Sequence, residues 1–192
     1  MSSKETDIDT IKPPTAAQKR QVFYYWPLAL ALGWIALDQW TKWLVEVNLA
    51  PAGTGQGYDW LGGQVRIVYI INKGASFGFL NNADVAWFFT ALALAATIGV
   101  VWWYSWHGTT NRWLQLATGL ILGGIVGNLI DRLFKGGGVT DMITLPNVAF
   151  FKVFNVADSG ITVGTAIVLI TILVGGWLSS RQTKPVATKN EL

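Results

Sequence analysis

The chain has 192 residues, of which 52% are hydrophobic and only 13% are charged. Soluble domains carry roughly 25% charged residues, so this is not the composition of a soluble globule or a disordered chain. The sequence contains no cysteine, which excludes disulfides, thiolate metal sites and thiol nucleophiles. A net charge of +3 from scattered basic residues argues against nucleic-acid binding. Because apolar segments long enough to cross a bilayer follow one another, the sequence predicts an integral membrane protein.

Residues 1–21 are polar and end in a basic pair, and we expect them to form a disordered cytoplasmic tail. The first apolar stretch runs from about Val22 to Leu37. A basic flank before a short apolar stretch is also the pattern of a cleavable signal peptide. Tryptophans continue the apolar pattern beyond Asp38, which favours a retained first transmembrane helix.

Residues 48–72 have a different character, because a glycine-rich part leads into the β-branched and aromatic run Val65–Ile71. Such a run after a Gly-Gly turn predicts a strand or hairpin at the membrane surface. An extended peptide segment that pairs with this run would bind through main-chain hydrogen bonds, and we expect Val65–Ile71 to supply the sheet edge.

Three more transmembrane helices are predicted, and an amphipathic stretch at Val148–Val153 precedes the last of them. Their expected bounds are about Ala83–Trp106, Trp113–Leu133 and Asn155–Leu178. Four spans place both termini on one side, and the excess of basic residues there predicts that this side is cytoplasmic. We expect residues 22–180 to form one membrane-embedded domain and residues 181–192 to form a second cytoplasmic tail.

Glycines recur every four residues along two of the predicted helices. Gly119, Gly123 and Gly127 form one stripe on the third helix, and Gly160 and Gly164 form another on the fourth. Small residues in such stripes allow helix backbones to approach closely in lipid. The stripes therefore predict close helix packing.

Ionisable and amide side chains gather toward the predicted outer ends of the helices. They are Asp38, Lys42, Asn128, Asp131, Arg132, Asp141, Asn155 and Asp158. Charged groups at such a depth are costly and usually face the bundle interior or a water-filled cavity. The sequence therefore predicts one extracytoplasmic polar site.

The residue types in this cluster limit its chemistry. The single histidine, His107, falls in a predicted cytoplasmic loop, and there is no His/Cys cluster for zinc. We therefore expect neither a metal nor another cofactor. A pair of aspartates can still activate water, because two close carboxyl groups do not both ionise readily. The ionised member would take a proton from water, while its partner polarises the scissile carbonyl or protonates the leaving amine.

The residues alone leave other interpretations open. Asp38–Lys42 and Asp131–Arg132 also have the spacing of ion pairs that tie helices together, and Asp158 also suits a helix N-cap. A small transporter would use buried aspartates to carry ions, and would spread polar residues through the bilayer depth. A purely structural membrane scaffold would lose stability, but no reaction, when an aspartate is changed.

Four sequence blocks occur in order along the chain and together resemble one family. They are Asp38-Gln-Trp-Thr-Lys42, Asn72-Lys-Gly-Ala-Ser-Phe-Gly78, Gly123-Gly-Ile-Val-Gly-Asn-Leu-Ile-Asp-Arg132 and Phe154-Asn-Val-Ala-Asp-Ser159. The chain resembles the bacterial lipoprotein signal peptidase (signal peptidase II) family over about residues 22–180. Each block alone is weakly specific, whereas four in the right order and membrane position are specific.

The resemblance implies an all-α integral membrane fold of four transmembrane helices, with a small extracytoplasmic β-cradle and an amphipathic periplasmic segment. It implies an aspartic endopeptidase of the bacterial cytoplasmic (inner) membrane, with its active site near the outer face. The substrates would be diacylglyceryl-modified prolipoproteins, cleaved just before the lipidated cysteine. We expect contacts with membrane lipid, no nucleic-acid partner and a monomeric enzyme.

The resemblance also assigns roles to individual residues, with Asp141 and Asp158 as the catalytic pair. Asp131 competes for the first role on spacing, but its neighbour Arg132 and the family pattern favour an orienting role. The residues implied to bind substrate or orient the pair are Asp38, Lys42, Asn72, Gly74, Asn128, Asp131, Arg132, Asn155 and Ala157. The chain departs from the family in two places: Asp141 follows Asp131 by ten positions rather than nine, and Met142 stands where phenylalanine is usual.

Overall fold

A computed structural model of the protein describes residues 24–53, 56–73, 83–107, 109–148 and 153–182. Within these ranges the chain is mostly helical and carries one small antiparallel sheet. In chain order the elements are α1 (Trp26–Leu49), β1 (Gly57–Trp60), β2 (Val65–Asn72), α2 (Ala83–His107), α3 (Arg112–Phe134), β3 (Val139–Thr144) and α4 (Val156–Gln182). Short 3-10 turns follow α1 and β1.

The predicted helix boundaries agree with the structure to within a few residues. Helix α1 continues well past Asp38, which confirms that the charged positions belong to the first helix. Helix α4 continues to Gln182, so the first two residues assigned to the C-terminal tail are helical. The tail residues 1–21 and 183–192 lie outside the described residues.

Three of the described helices are long and apolar enough to cross a membrane. The qualifying stretches are Trp87–Trp106, Arg112–Phe134 and Val156–Trp177. Helix α1 has 24 residues and is also long enough, at 1.5 Å rise per residue. It differs from the other three because Asp38, Lys42 and Glu46 lie in its second half.

Helix α3 is the centre of the bundle and packs against α1, α2 and α4. Its glycine stripe faces α1: a Cβ added at Gly123 would lie 2.8 Å from the Cβ of Trp34. The stripe on α4 faces α3 in the same way, because a Cβ at Gly164 would lie 3.0 Å from the Ala117 carbonyl oxygen. Such distances leave no room for a side chain, which confirms the predicted close packing.

The sheet has the order β1-β2-β3, with both pairs antiparallel. The predicted strand at Val65–Ile71 is confirmed as β2. It is, however, the central strand, because Val65–Val68 pairs with β1 and the same stretch also pairs with β3. The expectation that Val65–Ile71 supplies a free sheet edge is therefore wrong for this half of the strand, and β1 and β3 are the outer strands.

Asp141 lies on strand β3. Gly136 and Gly137 have φ values of 59° and 84°, a backbone region that glycine adopts without steric cost. They turn the chain sharply from α3 into β3. The register shifts between Ile67 and Ile70 of β2, so that Ile70 lies opposite Asp141. Asp141 therefore pairs beside a β-bulge of β2, a feature that re-aims nearby side chains.

A small apolar cluster joins the sheet to the helices. Val45 and Leu49 of α1 pack with Met142 of β3, and residues of β2 cover them. This contact places the strand that carries Asp141 against the second half of α1. The amphipathic stretch predicted at Val148–Val153 falls mostly outside the described residues.

Candidate active site

The predicted polar residues converge at one end of the bundle. The second half of α1, the C-terminal end of α3, strands β2 and β3 and the first turn of α4 all meet there. Seven predicted site residues are buried and fully or almost fully shielded from solvent: Asp38, Lys42, Asn128, Asp131, Asp141, Asn155 and Ala157. These predicted residues therefore lie together in one polar cluster.

Asp158 lies in the first turn of α4, where the sequence forms a reciprocal cap. The Asp158 backbone N–H donates to Asn155 Oδ1 at 2.8 Å, and the Asn155 backbone N–H donates to Asp158 Oδ2 at 3.3 Å. This is the geometry of a capping box, with Asn155 at the N-cap position and Asp158 three residues later. Asn155, and not Asp158, therefore takes the N-cap position. The positive end of the helix dipole stabilises the Asp158 carboxylate.

Asp141 is 2% exposed and receives two amide hydrogen bonds. Asn72 Nδ2 donates to Asp141 Oδ2 at 2.9 Å, and Asn155 Nδ2 donates to Asp141 Oδ1 at 2.8 Å. Burial raises the pKa of Asp141 to about 6, against the opposing effect of these two hydrogen bonds. The nearby Asp158 carboxylate also raises the pKa of Asp141, so the two carboxyl groups interact electrostatically.

Two asparagine side chains link the carboxyl groups. Asn155 is fully buried: its Nδ2 donates to the Asp141 carboxyl group, and its Oδ1 accepts the backbone N–H of Asp158. Asn128 Nδ2 donates to Asp158 Oδ1 at 2.7 Å, and Asn128 Oδ1 accepts from Asn155 Nδ2 at 3.0 Å. The amides thus set the positions of both carboxyl groups relative to each other.

A buried charge cluster supports these amides from behind. Lys42 Nζ lies 2.8 Å from Asp38 Oδ2 and 3.2 Å from Asp131 Oδ2, and it donates to Asn128 Oδ1 at 3.2 Å. Asp38 Oδ1 accepts the backbone N–H of Ala157 at 2.8 Å. Charges buried this deeply are tolerated because each is paired and hydrogen-bonded.

Asp131 and Arg132 are adjacent in sequence but occupy different surroundings. Asp131 is fully buried and forms ion pairs with Lys42 and Lys135. Each of its carboxylate oxygens therefore faces one lysine ammonium group. Arg132 is half-buried and interacts electrostatically with Asp158, Asp141 and, more weakly, Asp131. Its positive charge faces both members of the predicted catalytic pair.

Four residues that the sequence analysis did not select also belong to the network: Gln39, Glu46, Lys135 and Thr140. Gln39 Nε2 bonds to Asp38 Oδ2 and to the Gly127 carbonyl oxygen. Glu46 and Lys135 each follow a predicted site residue, Lys42 and Asp131 respectively, by four positions in the chain. This helical spacing is a signal that could have identified both. The hydroxyl of Thr140 gave no such signal.

Gly74 lies outside the described residues. Within the described ranges, no three His, Asp or Glu side chains are grouped in a way that could hold a metal ion.

An apolar cavity of about 600 Å³ lies between the second half of α1, the sheet and the start of α4. Trp60 and Tyr58 of β1 line one side, and Leu44 and Leu49 of α1 line another. Met142 and Val156 also line it, and they are the chain neighbours of Asp141 and Asn155. The cavity therefore adjoins the polar site.

The fold and the site define a helical membrane protein with a buried site of carboxyl and amide groups at one end of its bundle. A family model described as Signal peptidase (SPase) II matches residues 30–174. The chain therefore belongs to the signal peptidase II family, and it is a peptidase of the lipoprotein-processing kind.

Individual relatives agree with this assignment. The chain is 32% identical to a lipoprotein signal peptidase of Bacillus pumilus, over 84% of this chain and 99% of that protein. It is 36% identical to a lipoprotein signal peptidase of Acinetobacter baumannii, over 82% of this chain and 91% of that protein. A solved structure of a bacterial membrane enzyme, obtained by the in meso method at 1.9 Å resolution, is 27% identical. It has a TM-score of 0.71 and covers 80% of this chain and 96% of its own.

Proposed function

We propose that this protein is an aspartic endopeptidase that removes the signal peptide from diacylglyceryl-modified prolipoproteins. Cleavage would take place just before the lipidated cysteine, with Asp141 and Asp158 activating a water molecule. The single observation that carries the proposal is the pair of linked amides, in which Asn155 binds the Asp141 carboxyl group, Asn128 binds the Asp158 carboxyl group and the two amides bind each other.

The pair has the properties that acid–base catalysis requires. Burial raises the pKa of Asp141 to about 6, so we assign the proton of the pair to Asp141 below that pH. Asp158 then acts as the base: it takes a proton from water, and the water oxygen attacks the scissile carbonyl carbon. Asp141 donates its proton to the leaving amine as the peptide bond breaks. The products are a carboxylic acid on the signal peptide and a free amino group on the lipidated cysteine.

Arg132 supports this chemistry from a position that faces both carboxyl groups. Its charge stabilises the negative charge that develops on the carbonyl oxygen and on the pair during attack. The amides of Asn128 and Asn155 hold the carboxyl groups in place, so little reorganisation is needed at the moment of reaction.

The apolar cavity beside the site suits a lipidated substrate. Its walls are aliphatic and aromatic side chains of α1 and the sheet, and its volume of about 600 Å³ falls within the range of small-ligand sites. A diacylglyceryl-bearing segment would enter it laterally from the bilayer, between α1 and the outer strand β1. The cysteine to which the lipid is attached would then lie beside Asp141.

We further propose that α1 is a fourth membrane span, that both termini are cytoplasmic and that the site faces the outer side. Helix α1 turns its charged residues toward α3 and α4, where Asp38 and Lys42 are buried. Large apolar residues on its other face, Leu32, Trp40 and Trp43, are exposed and would contact lipid. The N-terminal domain boundary at residue 22 and a monomeric state complete this proposal.

The decisive experiment is cleavage of a diacylglyceryl-modified prolipoprotein by the purified protein. We expect Asp141→Asn and Asp158→Asn each to lower kcat by roughly 10²–10⁴-fold, since each removes one proton-transfer group. Asp7→Asn in the N-terminal tail is the matched control and should cleave at the normal rate. The same substrate without its lipid should be a poor substrate.

Two results would contradict parts of the proposal. Full activity of Asp141→Asn, with loss in Asp131→Asn, would move the catalytic role to Asp131. If the unaltered protein did not cleave this substrate, ion transport or a structural role would be the better explanation of the carboxyl groups.

The mechanism also predicts a dependence on pH. Because it needs a proton on Asp141, kcat/KM should fall as the pH rises above about 6.

A further inference from the structure

Three polar side chains meet at the start of strand β3, and none of them belongs to the proposed catalytic pair. Lys135 Nζ donates to Thr140 Oγ1 at 2.9 Å, and Thr140 Oγ1 donates to Glu46 Oε1 at 2.6 Å. Lys135 and Glu46 also form an ion pair with each other. We call Glu46, Lys135 and Thr140 the rear clamp. Its members come from α1, from the end of α3 and from β3.

The rear clamp is anchored to the buried charge cluster. Asp131 Oδ1 lies 3.2 Å from Lys135 Nζ, and Asp131 Oδ2 accepts the backbone N–H of Thr140 at 2.9 Å. Thr140 is fully buried, whereas Glu46 and Lys135 are each about 30% exposed at their side chains. Thr140 immediately precedes Asp141 in the chain. It is therefore held by hydrogen bonds through both its side chain and its backbone.

The position of the clamp matters because successive side chains of a strand point to opposite faces. Holding Thr140 on one face of β3 sets the direction in which Asp141 leaves the other face. The preceding connection, Gly136–Gly138, has no side chains that could restrain the strand. Glycine also allows more backbone conformations than any other residue. The start of β3 therefore depends on contacts such as those of the clamp.

We propose that Glu46, Lys135 and Thr140 are positioning residues that hold the Asp141 carboxyl group in its reactive orientation. This inference rests on the proposed catalytic role of Asp141. The clamp acts through Thr140 and does not touch the substrate, since none of its members is among the described residues that line the apolar cavity. Its loss should lower kcat and leave KM unchanged.

Two substitutions of Thr140 separate hydrogen bonding from packing. Thr140→Val keeps the β-branched shape and the backbone N–H but removes the hydroxyl group. Thr140→Ser keeps the hydroxyl group but removes the methyl group. A role in packing alone predicts that Val is the better replacement, and a role in the clamp predicts that Ser is the better one.

The experiment measures kcat and KM for the lipidated prolipoprotein in both variants, together with their thermal unfolding. We expect Thr140→Val to lower kcat by roughly 10- to 100-fold, because small misplacements of a reacting group have effects of this size. Thr140→Ser should restore most of the loss. The matched control is Thr97→Val in α2, where the hydroxyl group donates to the Ala93 carbonyl oxygen of its own helix.

A second variant tests whether the three side chains act as a unit. Glu46→Gln should lower kcat by less than Thr140→Val, because Gln still accepts from the Thr140 hydroxyl group. Combined with Thr140→Val, it should add little further loss, since coupled residues are not additive. Fully additive effects would overturn the clamp.

The clamp and the catalytic pair can fail independently in this design. If Asp141→Asn is inactive but Thr140→Val has a normal kcat, or Thr140→Ser is as impaired as Thr140→Val, the clamp is overturned and the pair stands. If Asp141→Asn is active, the clamp loses its basis together with the pair. A rise in KM at constant kcat would place Thr140 in substrate binding and would also overturn the clamp.

Discussion

The two ends of helix α3 are held in different ways. At its N-terminal end the contacts are neutral: Asn111 Oδ1 accepts the backbone N–H of Trp113, and Gln115 Oε1 accepts the indole N–H of Trp26 at 2.8 Å. At its C-terminal end the contacts are charged, with Lys42 between the buried carboxylates of Asp38 and Asp131.

This contrast indicates why buried charges occur at the C-terminal end of α3. Neutral hydrogen bonds are sufficient to join a helix end to its neighbours, and the glycine stripe packs α3 against α1 over the whole interface. A buried ion pair often stabilises a fold no better than well-packed apolar residues, because desolvation offsets the attraction. We therefore interpret the charged C-terminal end of α3 as serving the reaction. Four measurements test this interpretation.

The largest effect is expected from Lys42→Met. It leaves Asp38 without its buried cation, and breaking a buried pair costs about 3–5 kcal/mol of unfolding free energy. Denaturant titration of the purified protein in detergent measures the loss. The matched control is Asp59→Asn, because Asp59 and Arg66 form an exposed pair that should contribute about 0–1 kcal/mol. Equal effects of the two changes would remove the distinction between the buried cluster and an ordinary surface pair.

The next effect is a dependence of stability on pH that arises from Asp141. Its pKa of about 6 in the folded protein exceeds the unfolded value of about 3.9, so the folded state binds more protons between these values. Stability should therefore fall as the pH rises from about 4 to about 6, by at most about 3 kcal/mol. Unfolding midpoints across this range should decline more in the unaltered protein than in Asp141→Asn. Parallel declines would show that another group titrates.

Gly127→Ala should have a smaller but local effect. A Cβ at this position would lie 2.7 Å from Asp38 Oδ2 and would displace that carboxylate from Lys42. Overpacking of this kind costs about 1–3 kcal/mol, and we expect cleavage to slow as well. Gly33→Ala in α1 is the control, because no atom lies within 4 Å of an added Cβ there. If both variants behave alike, the close approach of Gly127 to the site has no functional meaning.

The smallest effect is expected at the opposite end of α3. Gln115→Leu removes the acceptor of the Trp26 indole N–H and should cost about 1 kcal/mol. Because this end lies away from the carboxyl pair, kcat and KM should stay unchanged. Thermal unfolding and cleavage assays of the same preparation measure both quantities. A loss of cleavage would show that the neutral end is coupled to the reaction.

Much of the fold could be predicted because its signals are local. Long apolar runs mark α2, α3 and α4, the β-branched run marks β2, and the four-residue glycine spacing marks the packed faces. The sequence did not predict strand β3 because its six residues follow a glycine run and its first four are buried without alternation. A short buried strand has no alternating pattern, so pairing with β2 is what identifies it.

The residues of the candidate site were largely predictable, whereas the hydrogen bonds and ion pairs between them were not. Charged and amide residues near helix ends are informative because a membrane protein rarely carries them without a use. The hydrogen bond between Thr140 and Glu46 joins residues 94 positions apart in the chain, so no local spacing predicts that these two side chains meet.

The sequence by itself determined that this is a membrane protein, which helices it forms and which family it belongs to. These properties follow from hydropathy, glycine spacing and motifs, each of which is complete within a short stretch of chain. The tertiary structure was needed to show that Asn128 and Asn155 together link the two carboxyl groups, that β2 is the central strand and that Asp141 is buried on β3. The physical reason is that hydrogen bonds and desolvation depend on which groups meet in space.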